Sequence, residues 1–199
     1  MVDSRCQKWD IAIIGGGIIG SAIAYFLART GKAGQVVVIE PDPTYSKAST
    51  PLANGGIRRL FSLPDNIVMA QYGLDFYSRF ATKMAIEGEE QPISFCRQGY
   101  LFLSDSGNHS VMEKNYEIQC ANGVDAKLLD SSALKKLFPS INTDDIAIAV
   151  YSPNDGWVDP HSALFGFKRK ARSLGVTYLD ERVMDWESRN GLVRKIFTG

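Results

Sequence analysis

Hydrophobic positions change period several times along the chain, and each change marks an element. Ile11 to Ile14 is an unbroken apolar run, the pattern of a strand buried on both faces of a parallel sheet. After a cluster of glycines, Ile19, Ala22, Ile23, Phe26 and Leu27 recur at helical spacing, and Gly31 is placed to stop that helix. Gln35 to Glu40, QVVVIE, is a second β-branched run. Strand, turn, helix and strand together make the βαβ half of a mononucleotide-binding fold.

Periodicity is then lost from Pro41 to Arg59, a stretch filled with Pro, Ser, Thr, Asn and Gly that reads as a long functional loop. A helix is predicted from Ser62-Leu63-Pro64-Asp65, with Gly73, Phe76, Tyr77, Phe80 and Met84 on one face. Ile93 to Ser104 reads as two strands joined near Arg97 to Gly99. Val111 to Cys120 reads as a helix stopped at Asn122-Gly123, Asp130 to Phe138 as a short helix closed by Pro139, and Ile146 to Tyr151 as a strand. Asp159 and Pro160 are an N-cap followed by an N1 proline. They open a helix with Leu164, Lys168, Ala171 and Leu174 on one face and Gly175 as its stop. Strands over Val176 to Leu179 and Val183 to Glu187 follow, and Arg189-Asn190-Gly191 turns the chain into a return strand, Leu192 to Thr198.

Composition narrows the function by exclusion. The 199 residues carry 22 Lys plus Arg against 22 Asp plus Glu, so no global field draws in nucleic acid or an anionic membrane. No apolar run approaches the roughly 18 residues of a membrane span. Cys6, Cys96 and Cys120 match neither a disulfide framework nor a metal knuckle and read as reduced thiols. His109 and His161 stand apart, without the clustering of a metal or triad site. The opening residues lack the apolar core of a secretory signal and the Arg-rich pattern of a presequence. They are consistent with a cytoplasmic setting, the mitochondrial matrix being the alternative.

The chemistry-bearing motif is the glycine cluster. Gly15, Gly17 and Gly20 stand at GxGxxG spacing between the first strand and its helix. The first permits a tight turn, the second lets a pyrophosphate approach the backbone, and the third lets helix pack on strand. The helix N-terminus then offers free N–H groups to the phosphates. Glu40, at the end of the second strand, is placed to accept both ribose hydroxyls and would repel a 2′-phosphate, which argues against NADP. FAD is favoured over NAD because a long loop, rather than further βαβ winding, follows Glu40 and can cradle an extended flavin.

Three stretches carry a family resemblance: DIAIIGGGIIGSAIAYFLA, VVVIEPDPTYSKASTPLANGGIRRLFSLPDNI and DGWVDPHSALFGFKRKARSLGVTYL. Together they resemble the FAD-dependent D-amino acid oxidase/sarcosine oxidase superfamily over essentially the whole chain. The resemblance implies an α/β fold, an FAD-binding Rossmann-like domain (1–85 and 153–199) with an inserted α+β substrate domain (86–152). It implies oxidation of an amine or amino acid at its C–N bond, by hydride transfer to flavin N5 and hydrolysis of the resulting imine. Gly15, Gly17, Ile18 and Gly20 are then expected at the FAD pyrophosphate, Glu40 and Pro41 at the adenosine ribose, and Ser49 and Thr50 at the phosphates. Gly55, Gly56 and Ile57 are expected along the isoalloxazine ring, and Val183 at the adenine.

Arg58 and Arg59 are the paired cations beside that loop. A guanidinium there can bind a substrate carboxylate or stabilise the reduced flavin, and Arg58, nearer the glycines, is the candidate catalytic residue. The alternative is that both arginines are solvated or form structural ion pairs. Trp157 reads as packing and Asp159 as a cap.

Members of the superfamily continue beyond the hairpin that ends this chain, so the sequence reads as a truncated, N-terminal portion. It is expected to leave the FAD domain open beside that hairpin, to hold FAD weakly, and to need an electron acceptor and the missing C-terminal half for turnover. Two other readings stand beside the oxidoreductase: a non-catalytic flavoprotein-like binding or assembly protein, and an NAD-dependent dehydrogenase.

Overall fold

The structure is a computed structural model and describes residues 7–199; Cys6 and the opening residues read above for targeting lie outside them. The chain divides into two compact units. The first comprises residues up to Asn54, Ala81–Ile93 and Asp159–Gly199; the second comprises Gly55–Phe80 and Ser94–Val158.

The first unit is built on a parallel sheet of β1 (Ile11–Ile14), β2 (Val36–Ile39) and β9 (Thr177–Leu179), in the order β1-β2-β9. β2 lies in the middle and all four of its residues are buried. β1 does not match the expectation of burial on both faces: it is an edge strand, and Ile14 is 61% exposed. An apolar run alone cannot distinguish a central strand from an edge whose outer side has no neighbour. α1 (Ile18–Arg29) packs against α6 (Pro160–Ser173), with the Tyr25 and Phe167 ring centroids 5.7 Å apart. Ala24, Val37, Val38, Ala163, Leu164 and Ala171 complete a dry core between helices and sheet.

α6 begins as its sequence predicts. The Asp159 carboxylate accepts from the amides of His161 and Ser162, and Pro160 stands where a missing N–H costs nothing. Leu164, Lys168 and Ala171 are buried along it, whereas Leu174, expected on the same face, is the half-exposed C-cap. β10 (Val183–Arg189) and β11 (Leu192–Thr198) form the expected hairpin, with Asn190 and Gly191 both at positive φ as a type I′ turn requires. Met184, Trp186, Val193 and Phe197 are exposed along it.

The second unit holds two three-stranded antiparallel sheets. One has the order β3 (Gly56–Ile57), β8 (Gly156–Val158), β4 (Phe95–Cys96); the other has the order β5 (Tyr100–Ser104), β7 (Ile148–Ser152), β6 (Lys127–Asp130). β3, β6 and β8 were not legible as strands. They are two to four residues long and depend on partners far along the chain. β4 and β5 are the two strands expected in Ile93 to Ser104, yet they pair into different sheets rather than with each other.

α2 (Pro64–Ser78) ends at Arg79, and a separate turn, α3 (Phe80–Lys83), follows, so the single helix expected through Met84 is broken. The remaining helices are α4 (His109–Ala121) and α5 (Ser131–Leu137), the latter capped by Asp130. Leu60, Ile67, Val124 and Val150 form the core of this unit, with Phe61, Tyr100 and Phe102 packed against them. Residues 55–80 belong to this unit because Gly56 and Ile57 pair with Trp157 and Gly156.

Candidate functional site

In the first unit the chemistry gathers at the turn from β1 into α1. Gly15 has φ +94°, open to glycine at no steric cost, and its amide donates to the carbonyl of Ile39 at 2.9 Å. A Cβ on Gly20 would overlap the carbonyl oxygen of Gly15, so that glycine is demanded by helix–turn packing. Gly16 is nearly as tight, since a Cβ there would lie 3.0 Å from both the Glu40 Cβ and the Tyr45 hydroxyl.

Gly17 is different. It is the N-cap of α1, at φ −59° and ψ −175°, a conformation open to any residue. A Cβ there would meet only the Thr50 Oγ1, at an ordinary 3.5 Å. The fold therefore does not require glycine at 17. The bare backbone at that point leaves room for a group approaching from outside, and the helix N-terminus behind it suits an anion.

The polar partners of the turn are in place. Glu40 Oε2 accepts from the Gly16 amide at 2.8 Å, and Glu40 Oε1 accepts from the Asp42 amide at 3.0 Å. Each carboxylate oxygen keeps a further lone pair for a ribose hydroxyl. Thr50 Oγ1 accepts from the Ile18 amide at 3.2 Å and so binds the loop to the helix start. The amides of Gly17, Ile19 and Gly20 are first-turn donors with no helical carbonyl to reach. These residues fit a dinucleotide diphosphate with a free ribose 2′-hydroxyl.

Thr50 and Glu40 thus stand with Gly15 to Gly20. Pro41 follows Glu40 on the exposed side, Ser49 is exposed, and Val183 opens β10 opposite Thr198.

The other expected positions lie in the second unit. Gly55, at φ +67°, accepts at its carbonyl from the Val158 amide at 2.9 Å, and Gly56 and Ile57 form β3. The neighbouring arginines have opposite surroundings. Arg59 is buried: its Nε donates to Asp155 at 2.7 Å, and its Nη2 donates to Asp125 at 2.5 Å and to Ser152 at 3.1 Å. Asp155 also accepts from the Arg59 amide at 2.8 Å. Burial disfavours the guanidinium charge, but the two carboxylates outweigh it and raise its pKa. Arg59 is a structural ion-pair partner.

Arg58 makes no ion pair among the described residues. Its guanidinium carbon lies 5.3 Å from the Phe61 ring centroid, 5.5 Å from Tyr100 and 5.7 Å from Phe102, and its buried Nε has no hydrogen-bond partner. The rings hold the cation without neutralising it.

Sequence reasoning missed Asp155, Asp125 and the three rings around Arg58. It also passed over Tyr45, whose one visible signal is being a lone aromatic in a polar loop. The exposed cysteines Cys96 and Cys120 are free, and no group of candidate metal ligands occurs among the described residues. No described helix is long and apolar enough to cross a membrane.

Comparison with known proteins places this geometry. The family model described as FAD dependent oxidoreductase matches residues 10–199. FAD-dependent oxidoreductase domain-containing protein 1 of Xenopus laevis is 41% identical over 187 residues, spanning 92% of this chain and 38% of that protein. The 4-methylaminobutanoate oxidase (formaldehyde-forming) of Paenarthrobacter nicotinovorans is 31% identical over 86% of this chain and 20% of its own length. Among solved structures, the L-proline dehydrogenase of P. horikoshii superposes with a TM-score of 0.83 at 29% identity, covering 96% of this chain and 49% of that one. The chain therefore spans at most about half the length of these relatives. The cofactor of these relatives is FAD, and the chain belongs to the FAD dependent oxidoreductase family.

Proposed function

We propose that the protein oxidises the C–N bond of a secondary amine that also carries a carboxylate. The observation that carries this reading is the un-neutralised Arg58 beside the fully neutralised Arg59. A cation held by ring faces and left without a carboxylate is a receptor for one, and guanidinium geometry suits bidentate binding. The names of two relatives support the substrate class, since 4-methylaminobutanoate and L-proline are both secondary amines with a carboxylate.

In this reading Gly15, Gly17, Ile18 and Gly20 face the FAD diphosphate, with Ser49 and Thr50 on the phosphate side. Glu40 takes the ribose hydroxyls, with Pro41 next to it, and Val183 reads the adenine. Gly55 and Gly56 present bare backbone to the flavin ring, with Ile57 beside them. Bound FAD supplies the two-electron acceptor for the amine. Arg58 holds the substrate's carboxylate and thereby orients its C–N bond, and the protein's share of catalysis is that orientation.

The test is anaerobic mixing of the FAD-loaded protein with 4-methylaminobutanoate or L-proline, following the visible flavin band. Bleaching that is lost in Arg58→Ala, and restored in part by raising substrate, supports the reading. Bleaching that is indifferent to Arg58→Ala removes Arg58 from the site. A fully loaded protein that stays unbleached even when a longer chain supplies the C-terminal half removes the substrate class.

A further inference from the structure

The first unit buries a lysine that forms no ion pair among the described residues. Lys168, on α6, is 8% exposed. Its ammonium lies 4.7 Å from the Tyr45 ring centroid, 5.4 Å from Tyr178 and 5.7 Å from Phe165. Packing alone does not call for a lysine here. Burying an ammonium costs solvation that an apolar residue of the same size would not lose. That desolvation lowers the pKa of Lys168, while the charges of Asp180 and Glu40 act in the opposite sense.

Two of the boxing rings lead to the turn. Tyr45 is fully buried at φ +58°, a conformation that a tyrosine keeps only when its surroundings impose it. Its hydroxyl has no hydrogen-bond partner and lies 3.0 Å from where a Gly16 Cβ would stand. Tyr178 donates to Ser21 Oγ at 3.1 Å, and Ser21 Oγ donates to the Gly16 carbonyl at 2.7 Å. Both routes end on Gly16, whose amide holds the Glu40 carboxylate.

We infer that Lys168 is a positioning residue for FAD: its boxed ammonium clamps Tyr45 and Tyr178 against Gly16 and stands as counter-charge behind Glu40, so that the ribose acceptor is preset before the cofactor arrives. Lys168 touches no part of the cofactor itself. The inference rests on the reading of the glycine turn as the FAD diphosphate site.

The test follows the full chain by NMR during titration with FAD. In the parent, the Lys168 Cε resonance and the Tyr45 ring signals move with the same dissociation constant as the Gly16 amide. Lys168→Met, which keeps size and loses charge, speeds Gly16 amide exchange relative to Val38 by about tenfold, between the scales of an exposed and a desolvated cation–π contact. It weakens FAD to a similar degree, and Lys168→Arg restores both. A shifting Gly16 beside an unmoved Lys168 and Tyr45 overturns the inference and leaves the cofactor reading standing. So does a folded Lys168→Met with parental exchange and affinity. If FAD moves none of these signals, the cofactor reading fails and this inference with it. If Lys168→Met does not fold, the parent titration decides alone.

Discussion

The glycine turn and the arginine pair are both short segments, yet they are built in opposite ways. At the turn, Gly15 is required by its positive φ, Gly16 and Gly20 by the atoms a Cβ would strike, and Gly17 is left free by the fold. At the arginines, identical neighbours are separated by what lies far along the chain: Asp155, 96 residues on, neutralises Arg59, while aromatic rings surround Arg58 without neutralising it. In each segment the proposed ligand contact falls on the residue that the fold itself does not tie down.

The sharpest break of this contrast is Asp155→Ala against Arg58→Ala. Removing Asp155, which is fully buried, strips Arg59 of its main partner and should cost about 3–5 kcal/mol of unfolding free energy. Arg58→Ala loses only exchangeable ring contacts and should cost about 1 kcal/mol. Urea titrations of the two variants read the difference, and equal losses would erase the distinction between the arginines.

The same logic applies within the turn. Gly20→Ala drives a methyl into the Gly15 carbonyl and should destabilise by about 3 kcal/mol, the upper end of overpacking. Gly17→Val should leave stability within about 1 kcal/mol, as substitutions free of steric conflict do, while abolishing FAD binding. A Gly17→Val protein that keeps its FAD would show that the bare backbone there serves nothing.

Glu40→Gln probes the polar rim of the turn. It replaces charge-assisted hydrogen bonds by neutral ones, so FAD affinity should fall by about 1.5–3 kcal/mol, read by flavin fluorescence titration. Undiminished affinity would make Glu40 a brace for Gly16 and Asp42 alone.

Much of the first unit was legible in the sequence because its signals are local. The apolar run, the glycines, the strand ending in Glu40, the Asp159–Pro160 cap and the Asn190–Gly191 turn each declare themselves within a few residues. What escaped depends on distant partners. β3 is two residues long and exists because β8 lies beside it; Asp155 carries no local sign of the arginine it meets; and Lys168, though legible on one face with Leu164 and Ala171, gives no local sign of the rings that box it. The edge position of β1 escaped for the same reason, since exposure is a property of neighbours.

The smallest effect expected concerns the cap of α6. The Ser162 hydroxyl and amide hold the Asp159 carboxyl below the usual carboxylate range. Because its folded-state pKa lies below the unfolded one, the stabilisation is fully present above about pH 4 and is lost as pH falls through the lowered value. Asp159→Ala should cost about 1 kcal/mol near neutrality and progressively less in acid. A loss that does not depend on pH would mean that the carboxylate is not the cap.

On the proposed reading, the free backbone at Gly17 and the first turn of α1 receive the FAD diphosphate. An amide-resolved NMR titration of the 199-residue chain with FAD tests it directly and tolerates weak binding. The largest shifts should fall on residues 16–21, with Glu40 and Thr50 following at the same dissociation constant, and Gly17→Val should remove them all. Saturating shifts confined to other segments, with residues 16–21 unmoved, would contradict it.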